Sequence, residues 1–152
     1  MPKTKLQSFI FSTMMVFIMV YAMVCYNIAI AMGGMYNEIF LIALYEMPIM
    51  WPIGVALEYL IIGKLAKKLA FNIVSVDDKK IFIILAISSM TVCLMCPIMS
   101  LIATILFANP GRDIIAVWLQ KTVMNFPMAF FFQIFFAGPV VRRLFSTLVK
   151  EK

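Results

Sequence analysis

At 152 residues, 64% hydrophobic and 13% charged, the chain is too apolar for a single soluble core. Soluble domains are about half apolar and about a quarter charged, and one this short could not bury the excess. Its net charge of +6 accompanies no aromatic-interleaved basic stretch outside the apolar runs, so nucleic acid is set aside: basic residues in so apolar a chain flank membrane spans. The absence of histidine removes the commonest general base and metal ligand.

The first apolar run covers 6–32. About 20 apolar residues cross the hydrocarbon of a bilayer, and inside it only a helix or a closed barrel satisfies its own backbone. Lys3, Lys5 and Ala29-Ile30-Ala31 imitate a secretory signal. A signal's apolar region is only about 7–15 residues, so this run is read as a retained first helix.

The second run, 39–65, carries Glu46, Pro48, Trp51-Pro52, Glu58 and Gly63, and ends among Lys64, Lys67 and Lys68. Residues 71–80 read as a linker. The third run, 81–108, contains Pro97 and Cys93-Leu94-Met95-Cys96. A thiolate is disfavoured inside a membrane and no histidine completes a metal site. Ser89, Cys93, Cys96, Ser100 and Thr104 are expected instead to form a small-residue packing stripe. The fourth run, 114–141, carries Lys121, Asn125, Pro127 and Gln133, then Gly138-Pro139 and Arg142-Arg143. Beyond it, Val141, Leu144, Phe145 and Leu148 suit a short helix lying in the interface. No run alternates in the short segments of a transmembrane barrel.

Sliding the sequence by 75 positions aligns its special residues. Pro52 falls on Pro127, Gly63 on Gly138, Lys67-Lys68 on Arg142-Arg143, and Glu38 on Asp113. The expected fold is therefore an all-α integral membrane protein whose four transmembrane helices form two parallel two-helix repeats, 1–70 and 81–152. An even number of helices per copy makes the copies parallel. Most Lys and Arg residues lie at the N-terminus, the central linker or the C-terminus. Cytoplasmic segments hold that excess, so both termini are expected inside, with Lys67, Lys68, Arg142 and Arg143 as cytoplasmic anchors.

Asn125-Phe126-Pro127, then Gly138-Pro139-Val140-Val141-Arg142-Arg143, resemble the bacterial membrane family known as domain-of-unknown-function family 2798. Its two-helix units carry Phe-Pro in the second helix and close on Pro-x-x-Arg-Arg. Ser88-Ser89-Met90 and Met99-Ser100 resemble its first helix, and Trp118 sits where the family often has an aromatic. The first half departs, with Trp51-Pro52 for Phe-Pro and Gly63-Lys64 for the small-Pro pair. The resemblance implies a multi-pass protein of the bacterial cytoplasmic (inner) membrane and no particular activity.

The polar anomalies within the spans are Glu46, Glu58, Lys121, Asn125 and Gln133. A charge at mid-bilayer costs about 2.5–3.5 kcal/mol on insertion scales, so such residues usually pair or mark a pathway. Glu46 and Lys121 occupy equivalent positions and are expected to dock the helices as an ion pair. Glu58, equivalent to Gln133, either snorkels toward Lys64 or carries a proton. Asn125 and Gln133 are expected to bond to neighbouring helices. Pro52, Pro127, Gly63, Gly138 and Pro139 are candidate bends. No catalytic, cofactor or metal constellation is visible. The reading is a non-enzymatic structural or accessory protein, whose partners are the lipid bilayer and a homodimer mate or other membrane protein. The alternative is a small oligomeric transporter or channel, proton-linked through Glu58.

Overall fold

A computed structural model describes residues 3–108 and 111–150, and among them the chain is helical with no strand. Asn109 and Pro110 of the second short loop, and Lys152 of the tail, lie outside the described residues. Helix α1 spans Lys5–Met32. It opens on the N-cap Thr4, whose Oγ1 accepts from the Gln7 amide at 3.2 Å, while Gln7 Oε1 accepts from the Lys3 amide at 2.8 Å. It closes on Gly33, whose φ of 79° is left-handed and favours glycine. The Gly34 amide then reaches back to the Ala29 carbonyl at 3.0 Å, which satisfies one of the last carbonyls of the helix.

Helix α2, Glu38–Leu57, runs through a π-turn at Glu58–Ile62 into α3, Gly63–Ala70. Pro48 and Pro52 lie inside it without ending it. Helix α4, Lys80–Ala103, likewise contains Pro97 and enters a π-turn at Thr104–Ala108. After a short 3₁₀ turn at Gly111–Asp113, α5 covers Ile114–Phe132 and continues through a third π-turn, Gln133–Ala137, into α6, Gly138–Lys150. Four helical runs are long and apolar enough to cross a membrane: Lys5–Met32, Glu38–Ala70, Lys80–Leu106 and Gly111–Val149.

Two of the π-turns, Glu58–Ile62 and Gln133–Ala137, lie 75 residues apart, and the seam they interrupt explains them. Asn125, Ala129, Gln133, Ala137, Val141 and Phe145 are all buried, and each is four residues from the next. So are Met50, Gly54, Ile62, Ala66 and Ala70, with part-buried Glu58 filling the gap. An α-helix has 3.6 residues per turn, so each four-residue step drifts the seam by about 40°. Five such steps would carry it more than halfway round. A π-turn takes up one extra residue, about 100° of rotation, and removes about half of that drift.

The contacts divide the chain into two compact units, one of which is Leu57–Ile134. In that unit α3 and its π-turn pack on α4, and α4 packs on α5. In the other, formed by the remaining residues, α6 packs on α1. Phe11 and Phe145 meet edge-on there at 5.5 Å, as do Phe17 and Trp51 at 5.1 Å, and the Tyr21 hydroxyl donates to the Phe40 carbonyl at 3.2 Å. Under the 75-residue correspondence, each half's last helix therefore packs on the other half's first helix. The expectation of an interfacial C-terminal helix is modified accordingly. The helix continues through Gly138-Pro139, and Val141 and Phe145 are buried while Leu144 and Leu148 stay exposed.

Candidate functional site

Ser100, Thr104, Asn125 and Gln133 are the buried polar side chains among the described residues, and all four belong to the Leu57–Ile134 unit. Three of them meet where α4 faces α5. Asn125 Nδ2 donates to Ser100 Oγ at 3.2 Å, and Thr104 Oγ1 donates to the Ser100 carbonyl at 2.7 Å. Asn125 is only 3% exposed and its Oδ1 meets no donor. An unmet buried acceptor costs about 1–3 kcal/mol.

Around this cluster the two helices are stitched by further polar bonds. Trp118 Nε1 donates to the Pro97 carbonyl at 2.8 Å, and the Cys96 thiol lies 3.8 Å from the Thr122 carbonyl. Thr122 donates to the Trp118 carbonyl, and Ser89 and Thr91 to the carbonyls of Leu85 and Ile87, one turn back in each case. Such back-bonding satisfies a hydroxyl without a partner helix.

The small-residue stripe is shifted from its expected line. Val92, Cys96, Ser100 and Thr104 are buried, whereas Cys93 is exposed. Cys93 and Cys96 are three residues apart, so the seam's four-residue step takes one and leaves the other. The cysteines are free.

Glu58 opens the first π-turn. Its Oε2 is buried with no hydrogen-bond partner, and its Oε1 lies against Gly63, 3.5 Å from where a Cβ would stand. The Glu58 carbonyl would lie 2.7 Å from that Cβ, closer than any side-chain carbon tolerates. Glycine at 63 is thus required by the turn, and Gly138 follows the equivalent turn. Glu46 and Lys121 are both half-buried, at equivalent places on α2 and α5. Lys67, Lys68, Arg142 and Arg143 are exposed on α3 and α6, beyond the π-turns. Sequence reasoning missed the π-turns, and it placed Asn125 in a bond to a neighbouring helix without naming Ser100 as the partner. The signal for the first was the unbroken four-residue spacing of the seam.

Among the described residues no group of three or more His, Cys, Asp or Glu side chains is placed to hold a metal. The sequence profile of a domain of unknown function, DUF2798, matches twice, over residues 4–74 and 79–149. Both ends are offset by 75 residues, as the seam is. An uncharacterized Bacillus subtilis (strain 168) protein, YybC, is 37% identical over 156 residues, spanning 100% of this chain and 97% of its own length. No solved structure matches the chain.

Proposed function

Because the chain belongs to the DUF2798 family as a tandem copy, we propose that it is a multi-pass protein of the bacterial cytoplasmic membrane, non-enzymatic, with a structural or accessory role toward other membrane proteins. The observation that carries the membrane reading is the outer surface of its apolar helices. Leu41, Leu60, Val123 and Phe135 are 63%, 70%, 71% and 67% exposed in the spanning runs, a surface that suits lipid rather than water. The two copies run parallel, with both termini in the cytoplasm and the loops after α1 and before α5 outside. Gly111–Val149 has 39 residues, about 58 Å of helix at about 1.5 Å per residue, against about 30 Å of hydrocarbon. Its surplus carries α6 with Arg142 and Arg143 beyond the bilayer, and α3 with Lys67 and Lys68 does the same.

The accessory role predicts that a mild-detergent pull-down of the full chain recovers a stoichiometric membrane partner. Recovery of the chain alone would count against it. The unpartnered Oε2 of Glu58 favours a second reading, proton-linked transport by an oligomer. In that case reconstituted protein moves protons, and Glu58→Gln, which copies Gln133, abolishes the flux.

A further inference from the structure

The two copies provide their own control for the polar cluster. Seventy-five residues before Ser100, Thr104 and Asn125 stand Cys25, Ala29 and Met50. Cys25 and Met50 are as deeply buried as Ser100 and Asn125. Those positions of the first copy are therefore buried without a hydroxyl or an amide. The polar set in the second copy carries a desolvation cost that packing alone does not require, and part of it is left unsatisfied.

Its chemistry indicates what would satisfy it. The Thr104 hydroxyl proton is committed to the Ser100 carbonyl, and an Asn125 amide proton to Ser100 Oγ. Beside the Ser100 hydroxyl proton and the second Asn125 amide proton, the capacity left over is that of acceptors: Asn125 Oδ1, which has no donor, and the remaining lone pairs of Ser100 Oγ and Thr104 Oγ1. Thr104 also begins the π-turn that packs on α5, and a π-turn leaves a backbone carbonyl without its usual i+4 donor. Neutral hydroxyl, amide and backbone carbonyl oxygens are the ligand types that suit an alkali cation inside a membrane. The cluster itself contains no carboxylate, the ligand type on which divalent sites depend.

We propose that Asn125, Ser100 and Thr104, with the π-turn at Thr104–Ala108, form a binding site for a monovalent cation of sodium's size. The site is distinct from Glu58 and does not depend on whether the chain is an accessory protein or a transporter.

The test uses the full chain purified in mild detergent, with unfolding midpoints recorded in sodium, potassium and choline chloride at equal ionic strength. Sodium is expected to raise the midpoint saturably by several degrees over choline, with potassium weaker. Asn125→Met, which installs the first copy's residue, removes the sodium response. Thr104→Ala, which likewise copies Ala29, weakens it and serves if the Asn125 variant does not fold. Equal midpoints in all three salts, leaving at most a buried water on Asn125, would overturn the site. So would a sodium response that survives both substitutions unchanged.

Discussion

Phe145→Ala is expected to cost about 3–5 kcal/mol, the range for removing a buried aromatic ring. Phe145 is 4% exposed and meets Phe11 edge-on at 5.5 Å where α6 lies on α1. Aromatic pairs of this kind add about 0.5–1.5 kcal/mol beyond the area they bury. The residue also sits at the cytoplasmic end of the seam in the proposed topology, where water fills the space if the ring is lost. Chemical unfolding in detergent measures the loss, and trypsin cleavage at Arg142 and Arg143 should accelerate as α6 lifts away. Leu148→Ala, at a side chain 51% exposed on the same helix, is the control and should change stability by no more than about 0.5 kcal/mol. Equal effects at the two positions would contradict the packing of α6 on α1.

Gly63→Ala should also destabilise, by a smaller amount and a different route. The added carbon stands 2.7 Å from the Glu58 carbonyl, and the obstacle is backbone, which cannot rotate aside as a side chain can. Overpacking of this kind costs about 1–3 kcal/mol. The chain has one escape, to tighten the π-turn to an α-turn. That would rotate α3 by about 100° and swing buried Ala66 and Ala70 off α4. A cysteine placed at Ala66 should therefore resist a maleimide in the parent and react in the Gly63→Ala background. Gly34→Ala is the control, because a Cβ there meets only Tyr36 side-chain atoms at 3.9–4.0 Å. If both glycine variants behave alike, the close approach at Gly63 does not matter.

These two positions show how much is legible in the amino acids. Four helical runs can be read from composition, because lipid-facing backbone admits little else. The 75-residue correspondence is visible in Pro52 and Pro127, and in Gly63 and Gly138, and the family profile matches the chain twice at that spacing. The π-turns are harder to see. Seam residues on an α-helix normally recur at mixed steps of three and four, and only the unbroken run of fours from Asn125 to Phe145 betrays the extra residue. The packing of α3 on α4 and of α6 on α1 is invisible for a different reason. It depends on which helices meet in space, and neither Ala66 nor Val141 names its neighbour. Cys93 departs from its expected line because helical spacing alone puts both cysteines on one face, whereas the seam's phase admits only Cys96.

The polar residues divide along the same boundary. Asn125 is expected to bond a neighbouring helix and does so through Ser100. Its orphaned oxygen cannot be foreseen, since satisfaction depends on atoms rather than residue types. Glu58 stands out as a carboxylate in an apolar run. Its place at the start of a π-turn, against a required glycine, ties it to the turn's geometry as well as to any proton.

Everything proposed for this chain depends on its crossing the bilayer four times with both ends in the cytoplasm. Paired fluorescent-protein and alkaline-phosphatase fusions, placed at the two ends and in the loops at 33–37 and 109–113, measure that directly. The account predicts fluorescence without phosphatase activity at both ends, and phosphatase activity in both loops. An end reporting from the opposite side to its counterpart, or a chain that remains monodisperse in buffer without detergent, would contradict it.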